Sequence, residues 1–233
     1  MSWLTRILGG RGALDPQARE RLARWHALPD PPLDTAPAEA RFVVADVEST
    51  GLDLRNDRLI AIGAVTVEAG KIILGRSFYR VLRQPESSSR DNILVHGIGG
   101  TAQRSGEDPV EALLAFLEFA GRSPLVGYHA AFDAAMIGKA TSEYLGEKFR
   151  SSWVDLAYVA PTLIRREGKR QQGLDAWLQQ FDIEAFARHD AVADALATAQ
   201  LLLAVLAHAE AKPRRVNELL WEPGATGWLG HWR

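Results

Sequence analysis

Arg41-Phe42-Val43-Val44-Ala45 is a short apolar run, rich in β-branched residues, that leads straight into Asp46-Val47-Glu48-Ser49-Thr50-Gly51-Leu52. Such a run predicts a strand. Side chains two apart in a strand share a face, so Asp46 and Glu48 project together from its end. Two carboxylates held side by side repel one another unless protons or cations compensate the charge. Mg2+ and Mn2+ suit that task, being hard ions that take oxygen ligands. Gly51 then ends the strand and allows backbone to approach a ligand closely. Taken alone, the segment reads as readily as a strand ending in a polar turn.

Two further segments carry acids at element junctions. Pro124-Leu125-Val126-Gly127-Tyr128 is a second strand candidate, followed by His129-Ala130-Ala131-Phe132-Asp133. Asp133 opens an apolar-periodic stretch to about Tyr144, a predicted helix. The junction lies at the carboxyl edge of a strand, where α/β sites form. Alone, Asp133 also reads as an acid favoured at the positive end of its helix. The third segment is His189-Asp190-Ala191-Val192-Ala193-Asp194, preceding a stretch to Ala211 that is apolar almost all round. That stretch predicts a long, largely buried helix. Asp194 lies one turn inside it and needs a partner there. Asp190 shares its face at i, i+4 and is also a good N-cap residue; the spacing leaves capping and ligation both open for Asp190. His189, just outside the helix, suits a group that gains and loses a proton near neutral pH.

In order, spacing and flanking residues the three segments resemble the DnaQ-like exonucleases of the DEDDh type, which include the epsilon proofreading subunit of bacterial DNA polymerase III and its stand-alone relatives. The resemblance covers about residues 40 to 210. Asp46-x-Glu48 with Ser-Thr-Gly-Leu is similar to the family's first motif, Phe132-Asp133 to its second, and His189 with Asp194 five residues on to its third. Val95-His96-Gly97-Ile98 resembles a further His-Gly-Ile element between the first two. A tyrosine-type relative would carry Tyr four residues before the last Asp, where this chain has Asp190. Many relatives have Asn where His129 stands, and His129 is given no catalytic role.

The resemblance implies a ribonuclease H-like α/β fold, a five-stranded mixed sheet flanked by helices. It implies a metal-dependent 3′→5′ exonuclease in which Asp46, Glu48, Asp133 and Asp194 hold two divalent cations, Mg2+ or Mn2+, and His189 is the general base. Thr50, Gly51, Leu52, His96 and Phe132 would bind the terminal nucleotide, with Leu52 as a wedge; for Leu52 and Phe132 core packing is an equal alternative. The implied partner is the 3′ end of single-stranded nucleic acid, DNA ahead of RNA. For proofreading relatives a DNA polymerase is a partner too. An RNA-trimming enzyme would use the same site, and a non-catalytic polymerase-associated module would show a broken acidic set. The acidic set here is complete. No polymerase tether or clamp-binding peptide is legible after Ala211.

Composition bounds the rest. A chain of 233 residues with 47% hydrophobic content accommodates one ordinary domain with extensions. Net charge is −2, low for nucleic-acid binding; bound cations would offset the site acids. Arg165, Arg166, Lys169, Arg170 and Arg188 are candidate phosphate contacts. With no cysteine, disulfides and thiolate metal sites are excluded, as in cytoplasmic proteins. Neither a membrane span nor a secretory signal is expected. The chain divides into an N-terminal helix, about Pro16 to Ala27, with a Pro-rich linker (1–38), an exonuclease domain (39–211) and a tail (212–233) carrying Trp228 and Trp232. Within the domain, strands at 59–67 and 71–82 form a hairpin about Ala69-Gly70. Helices follow near 108–120, 156–167 and 173–181, with a strand near 151–155.

Overall fold

The computed structural model describes residues 14–164 and 172–220. Arg165, Arg166, Lys169, Arg170, Trp228 and Trp232 lie outside them. Helix α1 (Pro16–His26) is followed by strands β1 (Arg41–Ser49), β2 (Leu59–Glu68) and β3 (Lys71–Val81). Two short helices, α2 (Arg90–His96) and α3 (Gly100–Arg104), lead to α4 (Pro109–Ala120). Then come β4 (Leu125–Gly127), α5 (Ala131–Tyr144), β5 (Trp153–Asp155), α6 (Leu156–Leu163), α7 (Leu174–Gln180) and α8 (Ala191–His208). The five strands lie in the order β3-β2-β1-β4-β5. The β1–β2 and β2–β3 pairs are antiparallel, while β1–β4 and β4–β5 are parallel. This is the mixed five-stranded sheet expected from the sequence.

Strand β1 is apolar along its whole body because helices cover both faces. Val43, Ala45 and Val47 point into one core with α1, α4 and α5, while Phe42 and Val44 point into the other with α8. By the period of two, Asp46 and Glu48 continue the row of Phe42 and Val44. They therefore face the layer that contains α8, which carries Asp194. A register shift between Glu48 and Ser49 ends the regular β1–β2 ladder, a device that re-aims side chains beside sites.

Gly63 sets how closely α8 approaches. It is the ladder partner of Asp46. A Cβ on it would stand 2.2 Å from the Ala191 carbonyl carbon and 2.4 Å from the Val192 nitrogen. The first turn of α8 thus rests on bare β2 backbone, directly beside Asp46. Helix α8 is long and apolar enough to cross a bilayer, yet Ala195, Ala199, Leu201, Leu202 and Val205 are fully buried within the domain core.

The N-terminal helix packs on the domain. Trp25 is buried, and its indole N–H donates to the Gly121 carbonyl at 2.9 Å. Arg21 forks onto Glu118 with two 2.7 Å bonds. The Pro-rich segment that follows is tied down where Val216 and Asn217 N–H donate to the carbonyls of Thr35 and Leu33 at 3.0 Å. The described part of the tail forms a single 3-10 turn, Val216–Leu219.

Helices α2 and α3 are elements for which the sequence gives no periodic signal. They have only seven and five residues, too short to show apolar periodicity. Local chemistry makes α2: Ser89 caps it by accepting from Asn92 N–H, and Gly97 at φ 73° ends it in the left-handed conformation.

Candidate active site

A cleft of about 570 Å³ opens over the end of β1. Asp46, Glu48, Gly51, Leu52, His96, Phe132, His189 and Asp194 line it, together with Val95, Tyr128, His129, Leu174 and Arg188. Residues up to 148 positions apart in sequence thus share one wall. Asp133 stands behind it, 6% exposed, at the first turn of α5. Its Oδ1 accepts from Val47 N–H at 3.1 Å, which brings the α5 carboxylate to the end of the strand.

The electrostatics follow from that convergence. Burial holds the Asp46 carboxyl well above the usual range, and Asp133, Asp194 and Glu48 push it further. Burial, then Asp194, Asp190 and Asp133, push Glu48 up to about 8. Burial also raises Asp133 to about 8, against the pull of its own and Val47's N–H. Arg188 opposes the rise at Asp46 and Glu48. Among the described residues, no hydrogen bond reaches the carboxylate of Asp46 or Glu48. Acidic oxygens that repel one another and lack protein donors fit hard divalent cations. Among the described residues, no three His, Cys, Asp or Glu side chains stand close enough together to hold a metal ion as they are. At Asp194 both oxygens are engaged: Arg188 Nη1 donates to its Oδ1, and His189 N–H donates to its Oδ2 at 2.9 Å.

The neighbours of Asp194 have separate tasks. Asp190 caps α8, its Oδ1 accepting from Val192 N–H at 3.1 Å and Ala193 N–H at 2.9 Å. That resolves the choice the spacing left open in favour of capping. His189 is exposed and sits at φ 62°, a strained setting for a residue with a Cβ. Its backbone is held there by Asp194.

The structure does not bring the Thr50 side chain to the cleft. Its hydroxyl donates to Asp57 Oδ1 at 2.7 Å and accepts from Arg58 N–H at 2.9 Å, closing the β1–β2 loop. Gly51 packs on the same Asp57, where a Cβ would lie 2.5 Å from Oδ2. Leu52 is 54% exposed at the rim of the cleft and so is not a core residue. Phe132 is half-buried and packs on the core while lining the cleft. His96 is buried with its Nδ1 accepting from Ile98 N–H and its Nε2 at 2.9 Å from Asn92 Oδ1. Burial lowers its pKa, so it is a neutral wall.

Asp155 was not singled out from the sequence. It is fully buried at the end of β5, and its Oδ1 accepts from His129 N–H at 2.9 Å and Ala157 N–H at 3.0 Å. His129 stands at φ 59°, and Asp155 fixes that turn between β4 and α5. Burial raises Asp155 to about 6, against the N–H groups of Ala157, His129 and Ala130. The sequence signal is an acid ending a short apolar run, as at Asp46, but it is also an ordinary helix cap.

Residues 43–202 match a family model described as an exonuclease. The chain is 30% identical to the DNA polymerase III epsilon subunit of Aquifex aeolicus over 72% of its own length and 81% of that protein's. It is 33% identical to the PolC-type DNA polymerase III of Bacillus subtilis over 79% of its length but 13% of the polymerase's. For the Thermotoga maritima PolC-type enzyme the figures are 29%, 73% and 12%. The chain thus spans about an eighth of these PolC-type relatives. Its fold is similar to that of Escherichia coli exonuclease I in a zinc-bound complex with single-stranded DNA, with TM-score 0.60, 20% identity and coverage of 72% and 41% of the two chains. It is also similar to that of exonuclease X in complex with 5′-overhanging duplex DNA, with TM-score 0.59, 17% identity and coverage of 76% and 98%.

The fold is ribonuclease H-like. The chain belongs to the DnaQ-like exonuclease family, with relatives named as polymerase III epsilon subunits and PolC-type polymerases. This is a family of metal-dependent exonucleases, so divalent cations are implied.

Proposed function

We propose that the protein removes nucleotides from the 3′ end of single-stranded DNA, releasing nucleoside 5′-monophosphates, with two divalent cations, Mg2+ or Mn2+, as cofactors. One observation carries this reading: the unpartnered carboxylates of Asp46 and Glu48 share a cleft wall with Asp194 and His189. Asp46, Glu48, Asp133 and Asp194 would hold the cations. When bound, the cations supply Lewis acidity toward a phosphodiester and neutralise its charge.

The chain's own groups do the rest. His189, exposed at the cleft mouth, takes a proton from the attacking water at a ring nitrogen. Its left-handed backbone and the backbone bond to Asp194 hold the residue at the cleft wall. Leu52, Val95 and Phe132 offer apolar contact to a terminal base, which tolerates any base. The His96 ring closes the wall as a neutral group, adding no charge that would compete for phosphate. The DNA-bound neighbours and the epsilon-like relatives support DNA as substrate and a DNA polymerase as a candidate partner.

The test is digestion of a 5′-labelled single strand, a frayed duplex and a matched RNA in Mg2+, Mn2+ or chelator. A ladder shortening from the 3′ end of DNA, abolished by chelator, is expected. Activity in chelator, or digestion from the 5′ end, would overturn the reading; faster RNA digestion would move it to the RNA-trimming enzymes.

A further inference from the structure

The sequence offers Arg188 as one of several candidate phosphate contacts; among the described residues it is the cation that touches the acidic site. Its Nε donates to Asp175 Oδ1 on α7 at 2.6 Å, and its Nη1 donates to Asp194 Oδ1 on α8. The guanidinium bridges two helices and closes the Asp194 corner. Its side chain is 33% exposed, against 7% for Asp194, so one edge of the guanidinium faces the cleft it lines. With His189 N–H on Oδ2, both oxygens of Asp194 are taken. An arginine fork matches carboxylate and phosphate equally well.

From this bridge we infer that Arg188 is an exchangeable counter-ion. It occupies Asp194 until a divalent cation enters, then releases it and pairs with a backbone phosphate of the incoming strand. This rests on the metal-site reading given above. The exchange leaves each group with an opposite charge, because the arriving cation replaces the guanidinium at Asp194 and the DNA phosphate replaces Asp194 at the guanidinium. The Asp175 contact needs no change in the exchange and keeps the guanidinium at the cleft edge.

The inference makes one side chain act in opposite directions on two ligands. Arg188→Gln removes the competitor for Asp194, so Mn2+ alone, titrated into DNA-free protein and followed by electron paramagnetic resonance, is expected to bind about fivefold tighter, the size of a partly exposed ion pair. The same variant loses a phosphate contact, so KM for single-stranded DNA rises. The slope of log(kcat/KM) against log salt becomes shallower by about 0.7, the increment for one phosphate on a single strand. Arg188→Lys separates the two effects. A lysine keeps the point charge and the salt slope, but lacks the fork that bonds Asp175 and Asp194 together, so its Mn2+ affinity also rises. A purely structural arginine would weaken both ligands in Arg188→Gln. Unchanged or weaker Mn2+ binding in that variant, with wild type binding Mn2+ normally, overturns the exchange and leaves the metal site standing. No Mn2+ binding by wild type removes both.

Discussion

Gly63→Ala tests how the site is assembled, because Gly63 has no side chain and supplies no proposed ligand atom. The added Cβ would meet the Ala191 carbonyl carbon at 2.2 Å and the Val192 nitrogen at 2.4 Å. Ordinary contact begins at 3.4 Å, so the start of α8 must retreat by about 1 Å in a core packed near crystal density. These are backbone atoms, and no flexible side-chain tip can absorb the overlap. Overpacking of this kind costs about 1–3 kcal/mol. The retreat carries Asp190, Asp194 and the His189 turn away from Asp46, the ladder partner of Gly63. A misplacement of about 1 Å can lower turnover about 100-fold. The assay is exonuclease turnover at saturating Mn2+, at a temperature where thermal unfolding shows the variant fully folded. Val205→Ala, in the buried distal half of the same helix, is the control: it costs about 2 kcal/mol with near-normal turnover. Gly63→Ala turning over within threefold of wild type would refute the claim that bare backbone at position 63 sets the distance between the two acids.

Three further outcomes are expected. Asp155→Ala strands the buried N–H groups of His129 and Ala157, at about 1–3 kcal/mol each, and loosens the turn that leads to Asp133, so turnover falls at least tenfold; Asp155→Asn keeps an acceptor and most of the activity, and equal damage in both would show that the charge matters instead. In chelator, Glu48 and Asp133 at about 8 hold protons that the unfolded chain releases near pH 4. The contribution of these two groups to stability is therefore full below pH 4 and is lost as pH rises toward 8; Mn2+ should remove most of that slope in thermal melts, and the absence of such a slope in chelator would contradict the crowded-acid picture. His189→Ala lowers turnover by about 100-fold or more with Mn2+ affinity within a few fold, read by turnover and Mn2+ titration; parallel losses would make His189 a ligand.

Local rules made the ends of the elements legible. Period two placed Asp46 and Glu48 on one face, and the apolar stretch after Asp190 became α8. The boundaries moved by a few residues: α5 starts at Ala131 rather than at Asp133, and α8 ends at His208 rather than at Ala211. What sequence spacing did not reveal was tertiary. Gly63 sits in a strand pattern where its need for bare backbone appears only once α8 is laid on it. Asp155 carries the same signal as any helix cap, and only its bond to His129 gives it a second task. Thr50 lies inside a motif, yet its hydroxyl is taken up by Asp57, a partner seven residues on that the motif does not include. The Arg188–Asp194 contact joins residues six apart across a helix start, where no periodicity applies.

Crystals grown in Mn2+ and measured at the manganese edge test the central claim most directly. Two anomalous peaks among Asp46, Glu48, Asp133 and Asp194, with Arg188 turned off Asp194, are the expected result. Arg188 still on Asp194 and no manganese within the cleft would contradict the account.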